Sequence, residues 1–277
     1  MIVSHKHKFV FIHNPKVAGS SIRDVLEPYH DHAYKFWQHK FITELDRVVD
    51  LAHLTLSEIS LLFPKLAGYT FFTLVRNPEA RLLSSVCEYK KQHLKQKTLD
   101  PFLLDNLTTT SIRFDWKYTH FCPQHYYFAN SRHNSTFFKN LKVFAVEDLD
   151  TKVLPFIENL LGERLEISSL SYYNKAEKTF KEEVARTLNQ HSFQSALYRL
   201  YLADTLLLKE TYDTKVSKDL YKSLQTREDS DSTAINRKCS PFEYFNSETE
   251  GVYQTSYLKE HLSVNKVWNT NKDTTIC

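Results

Sequence analysis

The chain has 277 residues, of which 42% are hydrophobic and 25% charged, and its formal net charge is +3. These values describe an ordinary globular protein built as one large α/β domain, or one domain with an extension. They exclude bulk electrostatic attraction to nucleic acid, and no run of apolar residues is long enough to span a membrane.

Residues 1–8, with His5, Lys6, His7 and Lys8, read as a short solvated lead that leaves no room for a cleavable signal. A cytoplasmic location is expected on that basis; a Golgi lumen or membrane association is the alternative if an anchor precedes the sequence. Phe9 to His13 read as a short buried strand, which Asn14-Pro15 breaks. After Lys16-Val17-Ala18-Gly19-Ser20-Ser21, the apolar residues Ile22, Val25 and Leu26 fall at helical spacing, and Pro28 ends the helix. The chain has only four glycines, so Gly19 in this loop reads as a backbone requirement.

Residues 29–50 carry His30, His32 and His39 without a clean metal-ligand spacing, and read as surface or packing. Thr55-x-x-Glu58 is a capping box, so a helix starts near Thr55 and His53 lies in the loop before it. Gly68 closes that helix or starts the next turn. Tyr69 to Val75 is a strand apolar enough to be covered on both faces. Arg76-Asn77-Pro78 breaks it and opens a helix carrying Arg81 and Ser84, which runs into the nineties. Arg76 therefore stands at the carboxyl end of a strand, where open parallel sheets bind ligands. The basic end of that helix, Lys90, Lys91, Lys95 and Lys97, reads as a solvated face.

Residues 98–112 read as loop, and 113–130, with Gln124, as aromatic packing. Asn134-Ser135-Thr136 matches a glycosylation sequon. Leu141 to Val146 is a third parallel-type strand ending at Glu147-Asp148, followed by a helix from about Thr151 to Leu161 that Gly162 closes. Residues 177–212 suggest two helices through Val184, Leu188, Leu197, Leu200 and Tyr201. The expected architecture is α/β: a P-loop-like three-layer fold with a central parallel sheet flanked by helices. One domain covers 1–212, and 213–277 is a polar extension, partly disordered or loosely packed. Cys87, Cys122, Cys239 and Cys277 form no Cys-x-x-Cys pair, and reduced thiols are expected.

A strand, a tight loop with a lysine and two hydroxyls, and an immediate helix make an anion cradle, because the first amides of a helix have no internal acceptor. The Gly-x-x-x-x-Gly-Lys-Ser/Thr pattern of nucleoside triphosphatases is absent, and Glu147-Asp148 is the one candidate for a magnesium ligand. An anion bound without metal is expected. Lys16 with the amides of 17–21 makes one anion site; Arg76 with Ser84 makes a second. A ligand with two separated anionic groups satisfies both.

HNPKVAGSSI resembles the His-x-Pro-Lys-Thr-Ala-Gly-Thr-Ser motif of the Golgi-type and bacterial family-2 sulfotransferases, the group with the heparan sulfate 2-O- and 6-O-sulfotransferases. FTLVRNPEARLLSSV resembles that family's second motif, Arg-Asn-Pro-x-x-Arg-x-x-Ser. The resemblance is strong over residues 8–90 and continues weakly through Gln124, the strand end at 143–149, Asn174 and the segment 197–208. It implies 3′-phosphoadenosine 5′-phosphosulfate as donor. The 5′-phosphosulfate would lie on Lys16, Val17, Ala18, Gly19, Ser20 and Ser21, and the 3′-phosphate on Arg76 and Ser84. Lys16 would neutralise the leaving oxygen. Leu-Ala-His53-Leu-Thr-Leu-Ser-Glu58 resembles the loop histidine of the 6-O branch, which implies His53 as the base; His13 is the second candidate and reads better as packing.

Val17 and Ser20 depart from the two threonines of the first motif. Glu79-Ala80 and Val86 depart from the Trp-Asp and Tyr common in the second. Arg81 is left open between a structural role and a ligand role. The implied reaction is sulfuryl transfer to an acceptor hydroxyl, most readily of a carbohydrate, with no nucleic-acid partner and the oligomeric state open. The alternatives are a non-catalytic nucleotide- or glycan-binding module and a P-loop small-molecule kinase.

Overall fold

The computed structural model describes residues 1–208, apart from 34, 43–46, 96, 109–110, 113–114, 130–139 and 166–177. The sequon at Asn134, Asn174, Cys239, Cys277 and the extension 213–277 lie outside the described residues. Six strands are described: β1 (Ile2–Ser4), β2 (Phe9–Ile12), β3 (His39–Ile42), β4 (Arg47–Asp50), β5 (Thr70–Val75) and β6 (Leu141–Ala145). The α-helices are α1 (Gly19–Leu26), α2 (Leu56–Leu62), α3 (Pro78–Tyr89), α4 (Leu154–Leu161), α5 (Lys178–Thr187) and α6 (Gln190–Leu207).

The main sheet has the order β1-β2-β5-β6. Pairing of β2 with β5 and of β5 with β6 is parallel, with Val10 opposite Phe71 and Thr73 opposite Val143. Successive residues of a strand face opposite ways. Phe9, Phe11, Phe72 and Leu74 thus pack with Ile22 and Leu26 of α1 and Ile157 and Leu161 of α4. On the other face, Val10, Ile12 and Phe71 pack with Leu56, Ile59 and Leu62 of α2 and Leu82 of α3. Val184 of α5 and Leu200 and Tyr201 of α6 complete that core. Helices cover both faces of a mostly parallel sheet, which agrees with the expected α/β class.

Two segments differ from expectation. Residues 2–4 are not a solvated lead but an antiparallel edge strand, with Ile2 opposite Phe11. Met1 and all three strand residues, Ile2, Val3 and Ser4, are fully buried. Strands β3 and β4 form a separate antiparallel pair, with Phe41 opposite Val48. Arg47 of β4 pairs with the buried Glu58, which joins this small sheet to α2.

Residues 116–127 form two 3-10 turns, Trp116–Phe121 and Gln124–Tyr127. The buried Asp204 of α6 pins the second turn. Its carboxylate accepts from the backbone N–H of Gln124 at 2.7 Å and of His125 at 2.9 Å, and also meets His125 Nδ1 at 2.9 Å. The Tyr201 hydroxyl donates to the Phe121 carbonyl. Through these bonds α6 sets the position of the segment that faces the carboxyl ends of β2 and β5.

Candidate active site

The turn after β2 starts with Asn14, whose buried side-chain amide donates to the Leu74 carbonyl at 2.9 Å and ties the turn to β5. Lys16 and Ala18 both take left-handed backbone conformations, with φ of 64° and 62°. Such conformations are costly for side-chain-bearing residues and persist where the surroundings hold them; turns built this way form concavities for anions. Ala18 is the N-cap of α1 and supplies no capping side chain. The Ser21 N–H already donates to the Ala18 carbonyl at 3.1 Å, and an external anion can take the amides that precede it.

Gly19 is required for a reason other than its φ. A Cβ there would stand 2.0 Å from His13 Cδ2 and 2.1 Å from His13 Nε2. The missing side chain makes room for an imidazole over the start of α1. The His13 ring also stacks on Phe11 at 6.0 Å and meets the Trp37 edge at 5.4 Å. Val17 does not face the loop's open side: its side chain is buried with Phe9, Ile22 and Leu26. A valine in place of the motif's threonine suits that apolar site.

A cavity of about 500 Å³ opens at the carboxyl ends of β2 and β5. Lys16, Ala18, Gly19, Ser20 and Ser21 line it from the loop and α1, Arg76 from the loop after β5, Ser84 from α3, and His53 from the turn before α2. These sequence-derived candidates are thus brought together, while the Val17 side chain is not among them. Arg76 is held by Gln124, whose side chain accepts from the Arg76 N–H at 2.8 Å and donates to the Arg76 carbonyl at 2.7 Å. The Arg76 guanidinium reaches the Lys16 carbonyl at 3.4 Å.

Arg81 is a brace. It is fully buried, and its guanidinium donates to the carbonyls of Pro15 at 2.9 Å and Cys122 at 2.7 Å. Beside it, the Ser85 hydroxyl donates to the His120 carbonyl at 2.7 Å. The lysine loop and the 116–122 segment are thereby clamped to one face of α3.

His13, His53 and His120 form a cluster, with ring centroids 4.5 Å apart for the first pair and 5.3 Å for the His53–His120 pair. Burial lowers the pKa of each imidazole, because the charged form loses solvation. At His53 the nearby Asp50 carboxylate and the His13 carbonyl partly oppose this. His53 is therefore neutral near pH 7, and His13 and His120 are more firmly so.

Sequence reasoning missed His120, Glu88 and Lys181, which also line the cavity. Glu88 lies one helical turn beyond Ser84, so its face was readable; His120 carried no signal. Among the described residues, no group of three or more His, Cys, Asp or Glu could hold a metal ion. No described helix is long and apolar enough to cross a membrane.

The profile described as "Sulfotransferase family" matches residues 1–213. The chain belongs to the sulfotransferase family. Searches of curated proteins and of solved structures return no match. The match covers every element of the sheet and its helices, so the cavity at the strand ends is part of the sulfotransferase unit. Sulfuryl transfer in general is the activity that this membership supports.

Proposed function

We propose that this sulfotransferase takes 3′-phosphoadenosine 5′-phosphosulfate as donor in a P-loop-like fold and transfers its sulfuryl group to a hydroxyl, most readily of a carbohydrate. The observation that carries the reading is that Lys16, Arg76, Ser84 and His53, drawn from separate elements, line one cavity. The uncapped start of α1 and the absent Cβ at Gly19 suit a bound anion. Residues 1–212 form the transfer domain in this proposal, with 213–277 as an extension.

When bound, the donor supplies an activated sulfuryl group on a phosphosulfate. The 16–21 loop binds that end through the Lys16 ammonium, the Ser20 and Ser21 hydroxyls and the first amides of α1. Val17 contributes main chain only. Arg76 and Ser84 take the 3′-phosphate, and Gln124 keeps Arg76 in place. Lys16 offsets the negative charge that develops on the leaving oxygen. His53 accepts the acceptor's proton at Nε2. Asp50 Oδ2, 3.8 Å from that nitrogen, stabilises the imidazolium that forms.

The test is incubation of purified protein with radiolabelled donor and a broad panel of glycans and small hydroxyl compounds. Label transfer that Lys16→Ala abolishes supports the reading. Donor binding without transfer to any acceptor would favour the non-catalytic alternative.

A further inference from the structure

Two carboxylates, Glu88 and Glu147, line the cavity beside its anion-binding candidates, and Glu88 is the one paired with Lys16. It stands in the last turn of α3, and its Oε2 lies 2.8 Å from Lys16 Nζ. Gln92 donates to the other carboxylate oxygen at 2.6 Å. The Lys16 and Glu88 side chains are only 15% and 16% exposed, so solvent screens the pair less than it would on the surface. Such a carboxylate opposes anion binding, both by its charge and by occupying Lys16.

We propose that Glu88 is a specificity and positioning residue that holds the Lys16 ammonium as its counter-ion until an incoming anion displaces it. The proposal rests on the donor assignment above. A simple anion must break the ion pair with its own contacts alone. A ligand already held at its other end by Arg76 and Ser84 presents its second anion at high effective concentration and can displace Glu88. The counter-ion thereby selects ligands with two separated anionic groups over inorganic sulfate. It also keeps Lys16 directed into the cavity before the ligand arrives.

The exchange is linked to a proton. Lys16 from the loop and Lys91 and His93 on the same helical run act on the Glu88 carboxylate, Cys87 adjoins it, and Arg76, His120, Glu147 and Lys181 from other elements line the same cavity. Burial raises the carboxyl pKa, but Lys16, with Gln92 and Lys91, outweighs that and holds it below the ordinary value. Once Lys16 turns to the ligand, that restraint weakens while burial persists. Glu88 then binds protons more readily, and ligand binding takes up protons increasingly as the pH falls.

The experiment is titration calorimetry of the full chain, with adenosine 3′,5′-bisphosphate and separately with inorganic sulfate. Wild type, Glu88→Gln and Glu88→Asp are compared at several pH values in buffers of different ionisation enthalpy. Bisphosphate affinity should rise in the order wild type, Glu88→Asp, Glu88→Gln, by about five-fold overall. Sulfate binding should gain more than bisphosphate binding, and Glu88→Gln should lose the excess proton uptake that wild type shows as the pH is lowered. The shorter Asp keeps the charge and serves as the test if Gln does not fold. Equal or weaker binding by the variants, or unchanged proton uptake, overturns the counter-ion role. Failure of bisphosphate to bind any of the three proteins instead overturns the donor assignment.

Discussion

His53 Nδ1 lies 2.8 Å from the main-chain carbonyl oxygen of His13. A carbonyl only accepts, so Nδ1 carries the proton and Nε2 keeps its lone pair. The backbone of one cavity-lining histidine thus sets the tautomer of another. His53→Ala should lower turnover by about 10²-fold or more while leaving affinity for adenosine 3′,5′-bisphosphate close to wild type. Burial lowers the His53 pKa from its ordinary 6.5, so the acid limb of kcat/KM should fall below that value. Near-full turnover in the variant, or an acid limb above the ordinary histidine value, would remove His53 as the base.

Gly19→Ala should damage the site without touching a charged group. The added methyl would meet the His13 ring at 2.0 Å, and that ring is packed on Phe11 and Trp37. A stability loss of about 1–3 kcal/mol is expected, together with loss of anion binding, read from urea midpoints and calorimetry. A wild-type midpoint would mean that His13 turns aside freely.

Arg81→Met should destabilise the fold, since it strips buried partners from the carbonyls of Pro15 and Cys122. Each orphaned acceptor costs about 1–3 kcal/mol. Arg81→Lys should rescue little, because a single ammonium cannot reproduce the planar fork that serves both carbonyls. Chemical denaturation of the two variants checks this, and full rescue by Lys would contradict the bracing role.

Gln124→Ala should raise the KM for donor with little change in kcat. It removes both bonds that hold the Arg76 main chain while leaving His53 and Lys16 in place. Steady-state kinetics at saturating acceptor distinguish this from a fall in kcat alone, which would place Gln124 in the chemical step.

Stability should decline on mild acidification. His13 and His120 have folded pKa values well below the ordinary 6.5, so below that pH the unfolded chain binds more protons. Their contribution is complete above the ordinary value and is lost as the pH falls toward the lowered folded values. His120→Gln should flatten the curve of unfolding free energy against pH between about 7 and 5. An unchanged slope would show that His120 does not contribute.

Much of the site was legible in the sequence because its signals are local. The Thr55–Glu58 capping box forms as expected, with Thr55 accepting from the Glu58 N–H and Glu58 from the Thr55 N–H. The strands that end at the lysine loop and at Arg76 also stand where apolar runs and Asn-Pro breaks put them. Strand β1 was not legible: three residues are too few to show a period, and their burial depends on pairing with β2. The β3–β4 pair was obscured by the mixed aromatic and charged residues around it.

The sequence by itself determined the α/β class, the two strand–loop–helix units and the residue types gathered at their ends. Those features follow from backbone conformation and apolar spacing over a few neighbouring residues. Tertiary structure alone decided that Val17 faces the core, that Arg81 is a brace, and that Gly19 makes room for His13. It also joined Lys16 to Glu88 across 72 positions of chain. Side-chain partners at that separation are chosen by how the sheet and helices pack, and no local spacing encodes them.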